Sequence, residues 1–201
     1  MRRILCYGDS NTFGYNPHSY WGGPYSDDVR WTGLLQSNGW DVINCGQNGR
    51  EIPSRDGELR AVERLLSAAM PVDIVAVLLG SNDFLTHPNF TAEDVADRME
   101  RLLRHILAAN WEIRVLLIAP PPVRSGGWVP PDSRIVTESV RLAPRYRALA
   151  EKLGVSFADA GTWDVAIDFD GVHFRPEGHA SFARRLLKTL ETLPEPRVKI
   201  P

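Results

Sequence analysis

Cysteine is scarce: two in 201 residues, Cys6 and Cys45, not set in a Cys-x-x-Cys. That excludes a disulfide framework and leaves no thiolate pair spaced for a metal or redox couple. Both read as buried, reduced thiols, and the expected compartment is cytoplasmic. Long apolar runs are also missing. The longest lies near residues 74–79, far short of the ~20 residues that span a bilayer. The apolar stretch behind Arg2 and Arg3 stops at Gly8-Asp9, too short for a signal-peptide core. Charge of one sign is not in excess, since 23 Lys and Arg face 25 Asp and Glu for a net −2. A nucleic-acid-binding chain usually shows a basic excess, so no nucleic-acid partner is expected. Arg184-Arg185, and Arg101 with Arg104, suit solvated helix faces. No internal repeat, low-complexity segment or interdomain linker breaks the chain.

The composition that remains is that of a globular protein, 43% hydrophobic and 24% charged. The length suits a single domain over 1–201, with 194–201 as a C-terminal extension. Apolar runs alternate with helical patterns. Residues 3–7, 40–45, 73–79, 113–119 and 155–158 read as strands. Residues 29–36, 54–69, 91–110, 134–153 and 176–193 read as helices. Thr91 with Asp94 forms a capping box, Gly154 ends the fourth helix, and Pro176 opens the last. Pro144 is expected to interrupt or offset the fourth. Strands apolar on both faces and separated by helices imply a parallel sheet covered on both sides. The expected class is α/β, a three-layer doubly wound sandwich. Its five-stranded parallel sheet takes the flavodoxin-like order 2-1-3-4-5.

Such sheets bind ligands outside the carboxyl ends of their strands. There the sequence places Gly8-Asp9-Ser10-Asn11, Gly46-Gln47-Asn48-Gly49, Gly80-Ser81-Asn82-Asp83, Pro120-Pro121-Pro122 and Asp170-Gly171-Val172-His173. Ser10 follows the first strand but needs a base to become a nucleophile. Among His18, His87, His105, His173 and His179, only His173 lies at this edge with an acid just upstream in a turn. In Asp170-x-x-His173 the carboxylate can accept from Nδ1–H while Nε2 faces the serine. The backbone N–H groups of Ser10 and Gly49 and the side-chain amide of Asn82 can supply three oxyanion donors. Asp9 suits a loop-holding hydrogen bond, Asp83 a cap on its own turn, and Arg30 a surface salt bridge. Asn11 and Trp128 are assigned to the substrate pocket. Tyr15, Tyr20 and Trp21 suit a pocket wall, packing or a contact between copies in a homo-oligomer.

Taken as a set, 8–12, 44–50, 80–83 and 170–174 resemble the blocks of the SGNH hydrolases, also called GDSL-type esterases and lipases. The resemblance spans nearly the whole chain. It implies Ser10 as nucleophile, His173 as base, Asp170 as its orienter, and Asn82 and Gly49 as oxyanion donors, with Gly46 second to Gly49. Residues 28–35 and 120–122 are further similar to the arylesterase and acyltransferase branch. The implied activity is cleavage of short-chain carboxylic esters through a Ser10 acyl-enzyme, with transfer to alcohols. No metal or organic cofactor is called for, and the expected partner is a small-molecule ester. A carbohydrate O-acetyl esterase or thioesterase would use the same residues. A flavodoxin-like module could instead cradle a cofactor phosphate on residues 8–12, but it has no use for Asp170 and His173. The proline-rich loop 120–131 is expected to wall a narrow acyl pocket, with Trp128 at its entrance.

Overall fold

The computed structural model describes residues 2–109, 113–131 and 133–193. The expected extension 194–201 lies outside them. Five strands form one parallel sheet: β1 (Arg3–Gly8), β2 (Asp41–Gly46), β3 (Ile74–Leu78), β4 (Arg114–Ala119) and β5 (Ser156–Asp159). Their order is β2-β1-β3-β4-β5, as the sequence predicts. The helices are α1 (Ser10–Phe13), α2 (Trp31–Ser37), α3 (Asp56–Ala69), α4 (Ser81–Thr86), α5 (Ala92–Ala109), α6 (Arg134–Leu153) and α7 (Pro176–Glu191).

The two-residue period of the strands splits the core into two layers. Leu5, Tyr7, Val75, Val77, Val115 and Leu117 meet α3, α5 and α6. Ile4, Cys6, Ile74, Ala76, Leu116 and Ile118 face the other way, against α2 and α7. β3 is buried at every residue because both faces are covered. Each large apolar side chain so buried contributes about 1.5–3 kcal/mol. The Thr91–Asp94 box closes at both ends: the Thr91 amide donates to Asp94 Oδ2 at 2.8 Å, and the Asp94 amide to Thr91 Oγ1 at 3.1 Å. Among the described residues no helix is long and apolar enough to cross a membrane.

Three expectations need correction. α6 runs unbroken through Pro144. The carbonyl that Pro144 leaves unpaired belongs to Val140, which stands on an exposed face where water can take the lost donor's place. Residues 10–13 and 81–86, outside the five expected helices, each form a short helix. Asp9 Oδ1 accepts from the Asn11 amide at 2.9 Å and starts the first. These two helices sit directly past β1 and β3, at the ligand-binding edge.

Candidate active site

Ser10 is the first residue of α1, where β1 turns sharply at Gly8-Asp9. Its Oγ lies 2.9 Å from His173 Nε2. On the other side of the imidazole, Nδ1 lies 2.6 Å from Asp170 Oδ2. The second carboxylate oxygen, Oδ1, accepts the amides of Val172 and His173, each at 2.9 Å. Asp170 is fully buried, and burial alone would push its carboxyl up. The bonds from His173 and the two amides outweigh that and hold it below the usual carboxylate range. An ionised carboxylate against Nδ1 favours the tautomer whose Nε2 can take a proton from the serine.

The loop carrying this pair leaves β5 through a 3₁₀ turn, Ala160–Thr162, and reaches the edge 11 residues past the strand. Two elements hold it. Asn11 Nδ2 donates to the Val172 carbonyl at 3.1 Å, and the Phe174 amide donates to Asn11 Oδ1 at 2.9 Å. The expected placement of Asn11 in the substrate pocket is therefore corrected: both ends of its amide are spent on the His173 loop, and the residue is buried. The proline-rich loop clasps the other side. The amides of Arg124, Gly127 and Trp128 donate to the carbonyls of Gly171, Phe169 and Asp170.

The expected oxyanion donors follow the carboxyl ends of β1, β2 and β3. The amides of Ser10 and Gly49 donate to no described residue. Asn82 Nδ2 gives one hydrogen to the Arg50 carbonyl at 3.1 Å, which leaves the other free. Gly46 is corrected as the second candidate donor, because its amide donates to Asn44 Oδ1 at 2.8 Å. A Cβ on Gly46 would stand 2.0 Å from the Phe13 amide nitrogen, so this glycine serves close packing of α1 on β2. Gly49 has φ +71° and opens onto empty space.

Two aromatic rings bracket His173. Tyr15 lies 4.5 Å away between ring centroids, and Trp128 meets it edge-on at 5.0 Å. Tyr20 and Trp21 meet edge to face and are almost fully exposed. His18 pairs with Asp168, and Arg30 with Asp27. Asp83 does not cap its own turn. Its carboxylate accepts from the Ile52 amide at 3.1 Å and pairs with Arg98 at 3.1 Å. Burial raises Asp83 to about 6, against the pull of Arg98 and the amide. Asp9 is likewise lifted to about 6 by burial, offset in part by the Asn11 amide, His173 and Arg50. His179, set aside as a base in the sequence, lies within the last helix. It is buried on α7, where burial, and then His173, drive it down to about 3. Among the described residues no group of three acidic, His or Cys side chains is placed to hold a metal ion.

A sharp serine turn, an oriented imidazole and free N–H donors at one edge of a doubly wound sheet define a hydrolase of the SGNH type. The model of the GDSL-like Lipase/Acylhydrolase family matches residues 6–181, and the chain belongs to that family. The native M. smegmatis aryl esterase is 28% identical, covers 96% of this chain and 100% of its own, and superposes with a TM-score of 0.84. A carbohydrate acetylesterase family member from Sinorhizobium meliloti is 29% identical over 95% of this chain and 98% of its own, with a TM-score of 0.82. No curated protein matches.

Proposed function

We propose that this chain is a serine esterase working through a Ser10 acyl-enzyme. The observation that carries the reading is the continuous path from Ser10 Oγ through His173 to Asp170, at 2.9 and 2.6 Å. Ser10 Oγ attacks the ester carbonyl while its proton passes to His173 Nε2. The oxyanion that forms is met by the amides of Ser10 and Gly49 and by Asn82 Nδ2. The carbon–oxygen bond to the alcohol breaks, and His173 returns the proton to the leaving alkoxide. Water, deprotonated by the same Nε2, then releases the acid. No cofactor takes part. The expected cytoplasmic setting finds support in the two free thiols, Cys6 and Cys45.

The leaving oxygen must approach His173 Nε2, so the alcohol lies on that side, between Tyr15 and Trp128. The proline-rich loop therefore walls the alcohol site, and the narrowing expected from it applies to the alcohol. A flat aryl or small alkyl alcohol suits two aromatic rings. An acceptor alcohol entering the same site gains apolar contact that water does not, which supports transfer beside hydrolysis. The M. smegmatis aryl esterase and the S. meliloti acetylesterase resemble this chain to the same degree, so the two rings beside His173 carry the preference for a flat alcohol, and the carbohydrate ester is the second reading.

The test is Ser10→Ala. It should cost roughly 10⁴–10⁶ in kcat on p-nitrophenyl esters with the fold intact, because the three residues act as a unit. A fluorophosphonate probe should label the wild type and miss the variant; equal labelling would remove Ser10 as nucleophile. Transfer is read by running p-nitrophenyl acetate with a primary alcohol. Normal nitrophenol release with no alkyl acetate formed would sink it. A purified protein showing a flavin spectrum would favour the binding-module rival.

A further inference from the structure

Two of the proposed oxyanion donors come from different strand ends, Gly49 after β2 and Asn82 after β3. They can serve one oxygen only if the 47–55 loop and α4 keep a fixed spacing. We infer that Arg98, on α5, is a positioning residue that sets this spacing and so holds Asn82 in place against the Gly49 loop. The inference rests on the Ser10 acyl-enzyme reading and deepens it.

Arg98 Nη1 lies 3.1 Å from Asp83 Oδ1 and 3.1 Å from Glu51 Oε2. Its Nη2 donates to the Ile52 carbonyl at 2.9 Å. One guanidinium thus grips the residue next to Asn82 and two residues just past Gly49. The same two segments meet directly on either side of it. Asn82 Nδ2 donates to the Arg50 carbonyl at 3.1 Å, and the Ile52 amide donates to Asp83 Oδ2 at 3.1 Å. Glu51 Oε2 is held from a second side by His87 Nε2 at 2.9 Å. Arg98 itself stands on a firm base. Val95, Met99 and Leu102 bury that stretch of α5 in the core, and the guanidinium lies 5.7 Å from the Phe90 ring centroid.

Fold stability alone explains this cluster poorly. Asp83 is fully buried, and Arg98 Nε is buried with no partner among the described residues. Desolvation offsets much of the attraction in a buried ion pair, and well-packed apolar side chains often do as well. An unpartnered buried N–H adds to the cost. Departures of this kind concentrate at functional sites, where geometry matters more than stability. The demand for geometry is strong here, because a misplacement of about 1 Å can cost about a hundredfold in rate. Burial lifts Asp83 to about 6 even with Arg98 beside it. Without the guanidinium, the carboxylate that holds the Ile52 amide loses its nearest opposing charge.

The experiment is a double-mutant cycle on the full chain. Arg98→Met removes all three bonds. Arg98→Lys keeps a charge beside Asp83 and Glu51 but has no second nitrogen for the Ile52 carbonyl. Each is made alone and together with Asn82→Ala. Thermal melts check folding, and Arg98→Lys carries the cycle if Arg98→Met does not fold. The kcat on p-nitrophenyl acetate is divided by the number of Ser10 sites that a fluorophosphonate labels at completion, so a loss of folded protein does not register. Arg98→Met should lower kcat per labelled site by about tenfold to a hundredfold with KM little changed, and Arg98→Lys by less. In the Asn82→Ala background each should lose most of its effect, Arg98→Met costing no more than about threefold, because the donor it positions is gone. A full, additive cost in that background, or an unchanged kcat per labelled site in the single variant, overturns the assignment. If Asn82→Ala alone is slow and Ser10 is labelled in that case, only the role of Arg98 fails. If no ester is cleaved and Ser10 resists the probe, the acyl-enzyme reading fails with it.

Discussion

Arg50 ties two of the three proposed oxyanion donors to the sheet. Its side chain reaches back across the strand ends, donating from Nη1 to the Gly8 carbonyl at 2.8 Å and to the Cys45 carbonyl, and from Nη2 to Gln47 Oε1 at 2.9 Å. Gly49 precedes it, and its own carbonyl orients Asn82. The Ile52 amide and carbonyl are then pinned by Asp83 and Arg98. Donors must sit within a few tenths of an ångström of the developing charge to be effective. Asn82→Ala removes one proposed donor outright and should cost roughly 10²–10³ in kcat with little change in KM. Arg50→Met should lower kcat in the same sense by a smaller factor, with Arg50→Lys between the two. A normal kcat with raised KM in Asn82→Ala would mean that Asn82 only binds substrate. Asn82 is readable in the sequence because the motif that carries it is contiguous. The partners of Asp83 are not readable, since Ile52 and Arg98 lie 31 residues before and 15 after it and only packing joins them.

At the scale of elements, the site depends on two short pieces that have little stability of their own. α1 is four residues long, yet Asn11 within it fastens the loop that presents His173, and the Asn11 carbonyl accepts from Trp31 Nε1 of α2 at 2.8 Å. Asn11→Ala cuts both side-chain bonds to the His173 loop and leaves the buried Phe174 amide without its acceptor. It should lower unfolding stability by about 2–3 kcal/mol, measured in urea. kcat should fall more than KM rises, as His173 loses its fixed approach to Ser10. An unchanged kcat with lowered stability would leave Asn11 a purely structural residue. The strands and long helices are legible in the sequence because Val, Ile and Leu runs and 3.6-residue periodicity persist for several turns. α1 and α4 are not, because one turn shows no period; a side chain outside it, Asp9, or a tertiary contact decides it. α6 misleads for another reason: proline's cost depends on whether the orphaned carbonyl faces water, and residue type alone does not tell that.

For the molecule as a whole, His179 joins the two halves of one layer. The Trp31 amide, opening α2, donates to His179 Nδ1 at 3.4 Å, while the ring packs edge-on against Phe174 and Tyr25. Nε2 then carries the hydrogen, and it is buried without a partner. A proton added here would bring an uncompensated charge into the core, which is why burial drives this group from 6.5 to about 3. The unfolded chain binds that proton below about pH 6.5 and the folded chain does not, so folding loses stability as pH falls through that window toward 3. The slope is about 1.4 kcal/mol per pH unit. Asp9 and Asp83 act in the opposite sense. Their folded values are raised to about 6 from 3.8, so the folded state holds their protons first and gains on acidification between those values. A bare stability–pH curve would mix the two effects. Comparing wild type with His179→Gln separates them, because both proteins keep Asp9 and Asp83 and those contributions cancel. Glutamine retains an acceptor for the Trp31 amide and does not titrate. Urea unfolding should show the wild type's advantage over the variant shrinking by about 3 kcal/mol from pH 6.5 to pH 4. A difference that stays flat across that range would mean that the folded protein accommodates a charged His179, and the neutral buried histidine would have to be abandoned.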